Sequence, residues 1–186
     1  GCNICRSPSL FPQQRPHGHK LKAILMSLWF MLLAAASVLA YAIIGGVFLA
    51  FSDFLMRSFN LMKGPGGIEA MQVLNVEIMR SVFMVLFIGL APVSLVIAAY
   101  AGFAVQGTAS WLLMLAGIVY LVGVFAVTAF GNVPLNNQLA GIDPAAPQTL
   151  EFWKQSYMTR WVSLNSLRTA ASLLASALTL GALVIR

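Results

Sequence analysis

Between Ala23 and Ser52 the chain runs thirty residues without a charge. As a helix that stretch is about 45 Å long, more than a bilayer core, and predicts a tilted or projecting span. Ala42, Gly46 and Ala50 recur every four positions within it, a small-xxx-small stripe suited to close helix packing. The stretch ends at Asp53 and Arg57, spaced as an i,i+4 pair. Lys63-Gly-Pro-Gly-Gly67 then breaks the helix. Residues 68–80 read as a helix leading into a second span, with Glu69, Asn75, Glu77 and Arg80 at its wet end.

No charge appears between Arg80 and Asp143, a gap of 62 residues that holds two more spans and a turn at Gln106–Ser110. Pro92 predicts a kink in the first of these, and Trp111 stands where an interfacial aromatic belongs. Residues 131–160 form a second polar connection, in which Asp143-Pro144 has the pattern of an N-cap followed by proline at the first helical position. The last span is rich in small and hydroxyl residues, which suit a tight bundle. The pattern therefore predicts an all-α fold. It is a four-transmembrane-helix bundle with spans near 26–52, 81–103, 111–130 and 161–185. Two polar connections, 1–2 and 3–4, lie on one membrane face.

Composition agrees. Hydrophobic residues make up 60% of the 186 and charged residues 9%, with a mean hydropathy of +0.86. Soluble domains carry far more charge, so a soluble enzyme is excluded and the lipid bilayer is the first partner. The formal charge of +6 belongs largely to the first 25 residues; from Met26, seven basic residues face five acidic ones. No basic run mixed with aromatics points to nucleic acid.

Residues 1–25 hold both cysteines, both histidines and four basic residues. Cys2-x-x-Cys5 with His17-x-His19 has poor zinc spacing, and the stretch reads as a disordered basic tail or an upstream non-native leader to a single membrane domain, 26–186. Without that tail, five basic residues on the face of the connections oppose Arg186 alone, which sets that face in the cytoplasm and the protein in the plasma membrane. With the tail the count is five against five and chooses no side.

Arg168 is the most informative residue. It lies seven positions past Trp161, about 10 Å into the last span, where a charge needs partners. Trp153, Tyr157, Trp161, Asn165 and Arg168 share one helix face, aromatic first and polar deeper. Candidate partners are Asp53, Glu69, Asn75 and Glu77 from the first connection and Asn132, Asn136 and Asn137 from "FGNVPLNNQL". Three readings stay open: a clamp in which Arg168 pairs with Glu77 or Asp53, a ligand pocket, and an ion path. With no Cys or His after residue 25, no Cys/His nucleophile or His-based metal site exists there, and an enzyme would work with an organic cofactor or, as expected here, with none.

"GNVPLNNQLAGIDP" followed by "FWKQSYMTRWVSLNSLRTAASLLASAL" resembles the signature of the anthrone oxygenase-like family of small four-helix membrane proteins. "GGVFLAFSDFLMRSF" with "GIEAMQVLNVEIMRSVFMVLF" is similar to its first half. The resemblance implies a four-helix membrane fold and, in a few relatives, cofactor-free oxidation of anthrone carbons. It carries over to Asn132, Pro134, Asn136, Asn137, Trp161, Asn165, Arg168 and Thr169. Ser166 stands where the family commonly has histidine, and serine accepts no proton at neutral pH.

Two functions are expected. One is an oxygenase for a lipophilic aromatic molecule, with Asp53 or Glu77 as base and Arg168, Asn132 and Asn165 holding a developing oxyanion. Its substrate contacts are Asn136, Asn137, Trp161, Tyr157 and Trp153. The other is a non-catalytic accessory or structural membrane protein, in which the same groups clamp the bundle. A homo-oligomer is compatible with both.

Overall fold

The computed structural model describes residues 17–185, with side chains from Ser27. Cys2, Cys5, Arg6 and Arg15 lie outside the described residues, as do the side chains of His17, His19, Lys20 and Lys22. Four helices are long and apolar enough to cross a membrane: α1 (Ser27–Asn60), α3 (Val82–Ala104), α4 (Gly107–Ala140) and α5 (Pro147–Ile185). The α1 backbone is helical from His17. A shorter helix, α2 (Gly66–Glu77), stands between α1 and α3. No strand occurs among the described residues.

Large apolar side chains cover the outside, Val85, Val122, Leu39 and Phe130 among them. That arrangement is stable only where lipid is the solvent, so the protein is an integral membrane protein.

Helix length shapes the molecule. With 23 residues, α3 is about 35 Å long and matches a bilayer, whereas α5 has 39 residues and runs about 58 Å. The surplus turns of α1, α4 and α5 gather with α2 into a cap at one end. Its core is Phe51, Met56, Ile68, Met71, Leu135, Leu139, Trp153, Tyr157 and Trp161. Below it, Tyr41, Ile44, Phe48, Leu90, Tyr120 and Val124 fill the bundle.

Several boundaries differ from those the sequence predicts. The third span does not stop near Phe130; Pro134 sits inside a helix that continues to Ala140. Proline removes an N–H, and the π-helical turns at Leu121–Ala126 and Thr128–Asn132 just before it change the hydrogen-bonding register that proline would otherwise break. Asp143 is not a helix N-cap: it accepts from Ala145 N in a tight turn, and Pro147 opens α5. The helix after the first connection does not run unbroken into α3 either. A 3₁₀ turn at Ile78–Arg80 leads to extended Ser81, whose hydroxyl caps α3 at Met84 N. Near Pro92 of α3, Tyr120 donates to Phe87 O (2.8 Å) and Ser94 to Leu90 O (2.6 Å). Gln72 of α2 donates to Leu139 O and Ile142 O, satisfying carbonyls at the end of α4.

The small residues that set close approaches are not those of the periodic stripe. Ala42 and Gly46 face outward, and a Cβ at Gly46 would meet nothing within 4 Å. The interior face of α1 carries Tyr41, Ile44 and Phe48 instead. A Cβ on Gly117 would lie 2.5 Å from Ser94 O, so α4 reaches α3 there only without a side chain. We expect Gly117→Ala to destabilise the bundle by about 1–3 kcal/mol. Gly46→Ala should stay within about 0.5 kcal/mol of the parent. Thermal unfolding of both variants in one detergent checks this; equal midpoints would contradict the packing.

Candidate functional site

Beneath the cap lies a pocket whose empty space, its open mouth included, is about 620 Å³. Ring faces line much of it: Phe48 and Phe51 from α1, Phe83 and Phe87 from α3, and Trp161 from α5. Met71, Leu74 and Asn75 of α2 form its upper wall, and Thr128, Val133 and Asn136 of α4 another side. Met79 in the α2–α3 break lines it too and is 62% exposed, which sets an opening at the outer surface. The polar end is Arg168 with Asn165.

Arg168 is only 5% exposed. Its Nη2 donates to Asn165 Oδ1 at 2.6 Å and its Nη1 to Thr128 Oγ1 at 3.2 Å, while Nε has no partner. The guanidinium carbon lies 4.1 Å from the centre of the Phe48 ring and 5.4 Å from that of Trp161, contacts that favour a cation. Carboxylates do not contribute. The ion pair found among the described residues joins Arg57 and Asp53 at 3.9 Å on the outer surface. Glu77 is exposed as well. Neither acid lines the pocket, so the expected Arg168–Glu77 or Arg168–Asp53 clamp is not formed.

The amides are oriented by their neighbours. Asn165 donates through Nδ2 to Phe48 O and to Ser52 Oγ (2.7 Å), leaving Oδ1 for the arginine. A carbonyl accepts only and a guanidinium donates only, so that orientation is fixed. Asn136 Oδ1 accepts from Tyr157 Oη and Trp161 Nε1, both at 2.8 Å. Asn132 is buried outside the pocket and donates to Trp161 O at 3.2 Å. Asn137 is exposed. Trp153 stacks on Tyr157 at 5.2 Å and donates to Asn60 Oδ1, supporting the cap rather than lining the pocket.

The structure therefore brings Trp161, Asn136, Asn165 and Arg168 together at the pocket, with Tyr157 one bond behind and Trp153 and Asn132 farther off. Asp53, Glu77 and Asn137 stay outside. Phe48, Ser52, Thr128, Phe83 and Phe87 belong to the site or support it without having been singled out by sequence. Thr128 left a signal: with Tyr120 it supplies the hydroxyls of the apolar run from Trp111 to Phe130. Ser166 is exposed; it bonds Val162 O at 2.9 Å and Ser52 Oγ at 3.0 Å, one step behind Asn165. Position 166 is thus outside the pocket lining.

These features define a four-helix integral membrane protein with an aromatic pocket closed at depth by a buried arginine. The anthrone oxygenase family model matches residues 79–178, more than half of the 186, and the chain belongs to that family. The match takes in α3, α4 and the pocket face of α5; the similarity noted within residues 40–78 lies before it. No curated protein and no solved structure matches the chain.

Asn165 joins α1 to Arg168, so its loss should cost more than that of a surface neighbour. We expect Asn165→Ala to destabilise the protein by about 2–4 kcal/mol, since it strands a buried carbonyl and a charged donor. Ser166→Ala should change stability by no more than about 0.5 kcal/mol. Thermal melts in detergent compare them, and a harmless Asn165→Ala would contradict the network.

Proposed function

We propose that the protein binds a lipophilic aromatic molecule in this pocket and oxidises it with dioxygen, acting in the plasma membrane. The observation that carries the reading is the pocket itself: five aromatic side chains from three helices surround a space whose deep end holds one guanidinium. Phe48, Phe51, Phe83, Phe87 and Trp161 offer ring faces to a flat ligand, and Met79 marks the side from which it enters. Membership of the anthrone oxygenase family supplies the reaction class.

In that reaction a ring methylene next to an aromatic ketone becomes a carbonyl. One oxygen atom of O₂ stays on the carbon. The other leaves as water with the two methylene hydrogens, so the dioxygen is reduced as the carbon is oxidised. Loss of the first proton, to water or hydroxide entering at the pocket mouth, puts negative charge on the ketone oxygen, and a preorganised donor at that oxygen lowers the barrier. Arg168 takes that role. Asn165 holds the arginine and does not donate to substrate, because its NH₂ is already engaged. Asn132, Asp53 and Glu77 are outside the lining. The competing non-catalytic reading draws on the same bonds, since Arg168, Asn165, Phe48 and Thr128 tie α5 to α1 and α4.

Protein reconstituted in nanodiscs, supplied with anthrone and oxygen, separates the two. Quinone formation and oxygen uptake should exceed those of empty nanodiscs. Arg168→Met should lower the rate by about 10²-fold while the protein remains folded. A wild-type rate equal to that of empty nanodiscs would remove the catalytic reading.

A further inference from the structure

The polar groups of the pocket are unbalanced in one direction. Asn75, Thr128, Asn136 and Asn165 bring four side-chain oxygens to its lining. Three already serve donors of the protein. Thr128 Oγ1 and Asn165 Oδ1 receive Arg168, and Asn136 Oδ1 receives Tyr157 and Trp161. Among the buried atoms of the lining what remains unfilled is donor: Arg168 Nε has no partner, and Asn75 Nδ2 makes no hydrogen bond beyond its electrostatic contact with the Tyr157 hydroxyl. No Asp or Glu lines the pocket, so the guanidinium charge, bonded only to neutral oxygens, has no counterion there. Burying such a charge in a membrane protein costs several kcal/mol unless something compensates it, and cation–π contact with Phe48 and Trp161 offsets only part.

Resting on the pocket reading above, we propose that the ligand is held as an anion: an aromatic molecule whose ionised oxygen, a carboxylate or an acidic phenolate or enolate, completes the coordination of Arg168. The ring system packs among Phe48, Phe83, Phe87 and Trp161, and the oxyanion takes the free guanidinium edge with Asn75 as a second donor. This assigns the ligand its chemical class. It also accounts for a pocket with no acid of its own. A base on the protein would pair with Arg168 and cancel the charge that selects the ligand.

The test compares two probes of nearly equal shape, anthracene-9-carboxylate and anthracene-9-carboxamide. Each is titrated into the full chain in neutral phosphatidylcholine nanodiscs, with empty nanodiscs subtracted, and quenching of tryptophan fluorescence is read. The carboxylate should bind about tenfold more tightly, the difference between a charge-assisted and a neutral hydrogen-bonded contact. Arg168→Met should abolish that preference. Thr128→Asp, which sets a carboxylate beside the guanidinium without truncating it, should abolish it too. Equal affinity for the two probes in the wild type overturns the anion while leaving the aromatic pocket intact. A preference that survives in both variants also overturns it. If neither probe binds, the pocket reading falls and takes this one with it. Oleate distinguishes a membrane fatty acid from an aromatic acid: weak displacement of the bound carboxylate supports the proposal, and displacement as strong as that by unlabelled probe overturns its aromatic half.

Discussion

A guanidinium without a counterion, held inside a membrane protein, is the constraint around which the rest is arranged. Water cannot solvate Arg168 at 5% exposure, and among the described residues no acid pairs with it. Its stability is divided among neutral oxygens and ring faces from three helices: Thr128 on α4, Phe48 on α1, Asn165 and Trp161 on α5. Each of these is itself held. Asn165 is bound to the Phe48 carbonyl, Trp161 to Asn136, and Thr128 to Val124 O. The arrangement fixes a positive charge in place without neutralising it, which is the condition for recognising or stabilising negative charge in a bound molecule.

The cap is what makes such a site compatible with a bilayer. If every helix ended where α3 ends, Arg168 would sit close to headgroups and water. The extra turns of α1, α4 and α5, with α2 laid across them, shield it behind Met71, Trp161 and Tyr157. The π-helical turns contribute here. Two fall where the chain passes from bundle to cap, at Phe51–Leu55 and Thr128–Asn132, and a third, Trp153–Tyr157, lies within the cap. A π turn is wider than an α turn, so it rotates the residues that follow it relative to those before it. Along α5 that widening lets Trp153 and Tyr157 keep the face of Trp161 and Asn165, although four-residue spacing drifts on an α-helix.

Much of this was legible in the sequence, and the reasons are specific. Long apolar runs, the 62-residue one divided by the turn at Gln106–Ser110, locate the four membrane helices, because lipid tolerates little else. Arg168 is conspicuous as a charge inside such a run, and the Trp153–Arg168 spacing identifies its face correctly. Periodicity cannot show which surface of α1 is covered: Ala42 and Gly46 look like a packing stripe yet point outward, because bulky Tyr41, Ile44 and Phe48 fill the bundle instead. Nor does sequence choose between partners. Asp53 and Glu77 are the obvious mates for an arginine, but each lies on an exposed face, and neutral Thr128 and Asn165 take their place. The third span reads as 111–130, and the π turns before Pro134 accompany a helix that carries on past it.

The central claim is that Arg168 is kept uncompensated by the protein so that a ligand can complete it. An experimental structure of the full chain soaked with 10-bromoanthracene-9-carboxylate tests this most directly, because bromine marks the ring and the carboxylate position follows from it. The account predicts the ring among Phe48, Phe83 and Phe87, with a carboxylate oxygen in hydrogen-bond contact with the Arg168 guanidinium. A guanidinium paired with Glu77 or Asp53, or a probe seated outside this pocket, would contradict it.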